Sequence, residues 1–209
     1  MKKTKRKNIE RYKKEFQDIP IDQVDRIYEY MESRKFNKKN IEHLYSRIKD
    51  ISGIKEKYIK IVFYIIPEAT PRPRMGIGHF YVKNAKSNND FVKLMVKNKK
   101  DLYHFITTPC EFIVKNYFPI PKSFNKTDTL LAEMGLIDVI TRPDWDNLGK
   151  TYSDMVQKYI LADDSLITIG SSYKFYSLKP RVEIFIKYKE NHSCKHNKKL
   201  IEKYISGYS

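Results

Sequence analysis

Three shortages narrow the field for this 209-residue chain. Cysteine is scarce. The two present, Cys110 and Cys194, make no framework of bridges; one falls in an apolar strand pattern, the other in a polar tail, and both read as reduced thiols. Long apolar runs are missing too. The longest, Ile59 to Pro67, carries Lys60 and has the length of a strand, so no segment spans a bilayer as a helix. The opening Met1-Lys-Lys-Thr-Lys-Arg-Lys7 lacks the apolar stretch of a signal peptide, and a soluble cytoplasmic protein is the expectation. Acidic charge is the third shortage: 25 Asp and Glu stand against 41 Lys and Arg, for a formal net charge of +16 and a pI near 9.6. Such a body suits a polyanionic partner, above all nucleic acid. No internal repeat or low-complexity stretch interrupts it.

What is present is aromatic. Sixteen Tyr and eleven Phe supply large buried surfaces, enough at this length for one domain with a core plus an appendage. Residues 1–57 read as the appendage. The first fourteen hold eight Lys or Arg against one Glu, a basic arm. Asp22 then has the place of an N-cap, Val24, Ile27, Tyr28 and Met31 recur at helical spacing, and Asn37 can end that helix. Ile41, Leu44, Tyr45 and Ile48 mark a second, closed by Gly53. The pair is either a helix-turn-helix reading head or a plain helical hairpin.

Residues 58–190 have a different rhythm, and 191–209 form a basic tail. Ile59 to Ile66 reads as a strand, followed by Pro71-Arg-Pro-Arg74, stiffened by two prolines. Gly76 and Gly78 turn the chain into a strand at His79 to Val82, placed to pair with the first. Ser87 and Asp90 have capping-box spacing ahead of a helix through Phe91, Leu94, Met95 and Leu102. Cys110 to Phe118 alternates as a strand, and Ser123 caps a short helix stopped by Gly135. Ser165 to Tyr176 reads as a strand, and Val182, Ile184, Ile186 and Tyr188 share one face of another. Strands and helices alternate, yet two hairpins are present. The expected class is α+β: a mixed β-sheet with flanking helices, plus the N-terminal helical extension.

Against the basic background, acidic residues gather in Arg142-Pro-Asp-Trp-Asp-Asn-Leu-Gly-Lys150 and again at Asp163-Asp164. Carboxylates this close repel one another unless a cation lies among them. In extended backbone after Pro143, Asp144 and Asp146 would point the same way. From Asn147 the spacing is helical: Leu148, Tyr152, Met155, Val156 and Tyr159 form an apolar stripe, with Asp146, Lys150 and Asp154 nearly opposite. Hard oxygen donors suit Mg2+ or Mn2+. His192, Cys194 and His196 lie close in the tail without a matching cluster, so zinc is not expected. By spacing alone the acidic row is either a metal site or an exposed Asp–Lys ladder. A basic body with a local cation site points to a metal-dependent nuclease.

The block Pro143-Asp-Trp-Asp-Asn-Leu-Gly-Lys150, a helix of about a dozen residues, then Asp163-Asp164-Ser-Leu-Ile167, resembles the signature of RusA-type Holliday junction resolvases. The early strand, the turn at 71–74 and the late strand bearing Lys174 agree, so the resemblance spans roughly residues 59–188. It implies a homodimeric, Mg2+-dependent endodeoxyribonuclease, with Mn2+ a possible substitute, resolving four-way DNA junctions by paired symmetric nicks in recombination and repair. Phage or prophage origin in a bacterial host goes with it. By motif, Asp144, Asp146 and Asp164 match the essential carboxylates and Lys150 the essential lysine; Asp163 is the further metal-ligand candidate. Arg72, Arg74 and Lys174 are candidate DNA contacts. Gly149 departs from the larger apolar residue often found at its place, and residues 1–57 have no counterpart in the family core. Two alternatives stay open: a nuclease of this fold acting on flap or other branched DNA, and a non-catalytic DNA-binding protein using residues 1–57.

Overall fold

Alternation decides the centre of the molecule. In Cys110–Pro119 every second side chain from Cys110 to Phe118 is buried and those between are half-buried, because successive strand residues leave opposite faces. Arg181–Lys189 likewise buries Val182, Ile184, Ile186 and Tyr188, as the sequence pattern predicts. The computed structural model describes residues 21–70, 74–76, 79–81, 106–157 and 159–190. By internal contacts the chain divides into two compact units, Met1–Gly53 and Ile54–Ser209.

In the first unit, α1 (Ile21–Ser33) and α2 (Lys38–Ser52) are the two expected amphipathic helices. Their boundaries differ from the sequence reading. Asp22 lies inside α1 instead of capping it. Asn37 does not end α1 but opens α2: its side chain accepts from Asn40 N at 2.9 Å, and the Asn40 side chain accepts from Asn37 N at 3.1 Å. That reciprocal box satisfies two amides otherwise orphaned at a helix start. The reversal falls on Lys35, in the left-handed region at φ 51. Gly53 caps the end of α2.

The second unit is built on a four-stranded sheet of β1 (Glu56–Phe63), β4 (Cys110–Pro119), β5 (Ile167–Ser177) and β6 (Arg181–Lys189). Its order is β1-β6-β4-β5, with β6 antiparallel to both neighbours and β4 parallel to β5. The mixed sheet of an α+β fold is therefore present. β1 runs from 56 to 63, not 59 to 66, although the apolar sequence continues. The reason lies in its partner: Phe63 pairs with Val182, and β6 starts at Arg181, directly after Pro180. With no ladder left, Tyr64 and Ile66 stand exposed. β2 (Arg74–Gly76) and β3 (His79–Tyr81) pair with each other as a separate ribbon, so the strand at 79 does not join β1. The helix expected over 91–102 lies outside the described residues.

A parallel pair needs a crossover. That between β4 and β5 carries α3 (Lys126–Glu133) and α4 (Trp145–Val156), and both pack on β5. α3 is capped by Asn125, not Ser123, and Gly135 follows it at φ +75. α4 presses Leu148, Tyr152, Met155 and Val156 into the same core as Phe112, Val114 and Ile184. Burial of side chains this size contributes about 1.5–3 kcal/mol each. Tyr159 falls beyond the helix and is 45% exposed, so it does not extend the stripe. On the sheet's other side, Glu183 of β6 accepts from Arg181 Nε at 2.6 Å and pairs with Lys60 Nζ at 3.2 Å. Burial alone would raise the Glu183 carboxyl, but these cations outweigh it and hold it below the ordinary 4.5.

Candidate active site

The site grows from the first turn of α4. The Arg142–Pro143 peptide is cis, and Asp144 follows as the N-cap in extended backbone. Its carbonyl accepts from Leu148 N at 3.1 Å, but its carboxylate makes no capping bond. An N-cap Asp ordinarily spends its side chain on the helix amides; here that acceptor is left to other use. Asp146 sits in the first helical turn, where the positive end of the helix dipole favours negative charge. The expectation that both carboxylates lie on extended backbone is thus half right, since the helix begins at Trp145. Asp144 and Asp146 are exposed.

One turn on, Lys150 holds two carboxylates. Its Nζ lies 2.8 Å from Asp154 Oδ1 and 2.5 Å from Asp164 Oδ2. Asp154 and then Asp164 drive the ammonium well above the ordinary lysine value, so it remains a cation at any working pH. Asp164 comes from a 3-10 turn (Asp164–Leu166) that precedes β5, where the sequence reading had strand from Ser165. The Asp163–Asp164 doublet splits its duties. Asp163 Oδ1 accepts from Ser165 N at 2.9 Å and caps the turn, while its Oδ2 faces Gln157 Nε2 at 3.4 Å.

α4 is stitched to the segment before the Pro-Arg-Pro-Arg turn. Thr70 N donates to Thr151 Oγ1 at 2.7 Å, Asn147 Nδ2 to Thr70 O at 3.3 Å, and Glu68 N to Tyr152 Oη at 3.2 Å. Burial pushes the Tyr152 hydroxyl up, well past the usual phenol value, so it stays protonated. Sequence reasoning missed these anchors; Tyr152 in particular reads only as core. Arg72 lies outside the described residues, as do His192, Cys194 and His196, and only the backbone of Arg74 is described, in β2. Lys174 Nζ donates to Thr141 O at 2.5 Å, against the segment that feeds Asp144.

Asp144, Asp146 and Asp164 offer the hard oxygen donors that Mg2+ takes. Among the described residues no three His, Cys, Asp or Glu side chains are gathered closely enough to hold an ion, and Asp164 is engaged by Lys150. The donor chemistry fits a divalent cation; the closed donor set is not formed. No helix among the described residues is long and apolar enough to cross a membrane.

Residues 65–187 of the chain match the family model described as Endodeoxyribonuclease RusA, which is more than half of its length. Over 135 residues the chain is 35% identical to "Uncharacterized protein YqaN" of Bacillus subtilis (strain 168), covering 62% of this chain and 95% of that protein.

Proposed function

The chain belongs to the RusA family of endodeoxyribonucleases and so hydrolyses phosphodiester bonds in DNA; from that premise we propose that it is a Mg2+-dependent nuclease that resolves four-way DNA junctions by paired symmetric nicks. One observation carries the reading. Asp144 and Asp146 open α4, Lys150 lies one turn on, and its ammonium is paired with Asp164 from a separate element, all inside the family-matched span.

Asp144, Asp146 and Asp164 would hold the cation, with Asp163 alongside. When bound, Mg2+ polarises the phosphoryl oxygen and lowers the pKa of a coordinated water. The chain's own part is positional and electrostatic. Asp144 keeps its carboxylate out of the cap, and the helix terminus orients Asp146. Lys150 would supply a fixed positive charge for the crowded phosphate or its leaving oxygen. Asp163 shapes the turn that presents Asp164. Lys174, Arg72 and Arg74 contact phosphates, and the +16 charge draws the polyanion in. A four-way junction is two-fold symmetric, so paired nicks call for two sites, which a C2 homodimer supplies.

The test is cleavage with Mg2+ of a four-way junction, a flap and an intact duplex, each end-labelled. Symmetric nicks confined to the junction are expected. Cleavage of flaps in preference to junctions would move the substrate assignment, and binding without any cleavage would refute the catalytic reading.

A further inference from the structure

The chain has one tryptophan, and the fold places it between the two leading carboxylates. Trp145 opens α4, directly after Asp144 and directly before Asp146, with 63% of its surface exposed. Its neighbours three and seven positions on, Leu148 and Tyr152, are fully buried in the core. Four positions on, where a helix would offer a side chain for the indole to lean on, stands Gly149. Among the described residues a Cβ there would meet only the Ser172 Cβ, at an unstrained 3.6 Å, so they do not force the bare position by crowding. The indole therefore has no side chain four positions along its own helix to cover it.

An exposed apolar side chain is by itself ordinary. This one is the immediate chain neighbour of both Asp144 and Asp146, in the exposed first turn of α4. In a nuclease the ligand that comes to those carboxylates is DNA, whose phosphates offer no apolar face to an indole. A base has one, but in an intact duplex both faces are hidden in the stack. At a branch or in a single strand they are open, and stacking on an aromatic side chain accepts any base.

Resting on the nuclease reading above, we propose that Trp145 is a specificity-determining residue whose indole stacks on an unstacked nucleobase beside the scissile phosphate. It favours branched over continuous DNA because only the former offers a free base face.

The lone tryptophan makes the proposal directly readable. Full-length protein in EDTA, where binding proceeds without cleavage, is titrated with an immobile four-way junction, an oligo-dT strand and a blunt duplex. Indole emission is followed, with gel shifts on the same samples. Emission is expected to be quenched by junction and single strand and little changed by the duplex. In Mg2+, Trp145→Ala should raise KM for the junction about 5- to 100-fold with kcat largely kept, while Trp145→Phe retains most of the affinity. A junction that shifts in the gel yet leaves emission unchanged overturns the stacking role and leaves the nuclease reading intact. So does equal quenching by the duplex, or an equal defect in the Phe and Ala variants. Free protein whose emission acrylamide cannot quench would show the indole shielded before DNA arrives and overturn the proposal. If no DNA shifts at all, both readings fall together.

Discussion

Replacing Lys150 by Ala separates a surface ladder from catalysis more sharply than any other change. Structurally the side chain does little. It is 60% exposed, and its two partners, Asp154 and Asp164, are 49% and 37% exposed. The i,i+4 pair with Asp154 is worth about 0.3–0.5 kcal/mol and the pair with Asp164 about 0.2–1 kcal/mol. Their joint loss, about 0.5–1.5 kcal/mol, shifts the melting temperature by no more than about 6 °C in a chain of this size. As a catalytic cation, the same residue is worth roughly 10²-fold or more in rate. The assay is a single-turnover nicking rate on a four-way junction with saturating Mg2+, alongside thermal unfolding. Lys150→Arg should recover little, because the broad planar guanidinium does not reproduce a compact ammonium between two carboxylates. Asp154→Ala is the control. It removes the same ladder pair while sparing Asp164, and its rate should stay within a few-fold of wild type. A well-folded Lys150→Ala protein that nicks at a near-normal rate would refute the reasoning, and Lys150 would revert to a surface ladder member.

Asp146→Asn should abolish cleavage while junction binding persists or tightens, since the carboxylate is asked to hold a cation and otherwise repels phosphate; parallel loss of binding in a gel shift would assign Asp146 to folding instead. Junction affinity should fall by orders of magnitude between about 50 and about 200 mM salt if roughly six or more phosphates are contacted, and a nearly flat response would detach the net charge from DNA binding. The carboxyl of Glu183, held below its ordinary value by Arg181 and Lys60, contributes stability that is present above pH 4.5 and lost as pH falls through the lowered folded value. Glu183→Gln should therefore lower the urea midpoint at about pH 7 by more than at about pH 3; an equal loss at both would mean that packing, not charge, sets the contribution.

The sequence disclosed the elements whose pattern is intrinsic. Leu148, Tyr152, Met155 and Val156 mark the buried side of α4, and the alternation in β4 and β6 marks their inner faces. Features imposed by a partner were hidden. β1 stops at Phe63 because its partner β6 begins at Arg181, one residue before Val182, which no local apolar count reveals. The cap of α3 was hidden because two candidates stood close, Ser123 before Asn125, and only the geometry of the amides distinguishes them. In the site, spacing alone left a metal site and a surface ladder open; the motif resemblance singled out Asp144, Asp146, Lys150 and Asp164, and the structure brings Lys150 to Asp164. The bonds from Asn147, Thr151 and Tyr152 back to residues 68–70 bridge distant stretches of chain, and periodicity carries no trace of such contacts.

The pairing of β1 with β6 sets Glu56 opposite Lys189, and Lys57 bonds to Glu190 just beyond. The start of β1 and the end of β6 thus lie side by side, at one end of one strand pair. Domains with adjacent ends tolerate circular permutation and transplantation into a host loop. A short linker joining residue 190 to residue 55 would close residues 55–190 into a ring, which can be reopened in the exposed stretch around Leu136 without cutting the sheet or the α4–β5 connection. The same proximity makes the unit a portable cassette: segments hung on either end share a single point of attachment, and exchanging them alters what the cassette is tethered to while its cutting edge stays as built.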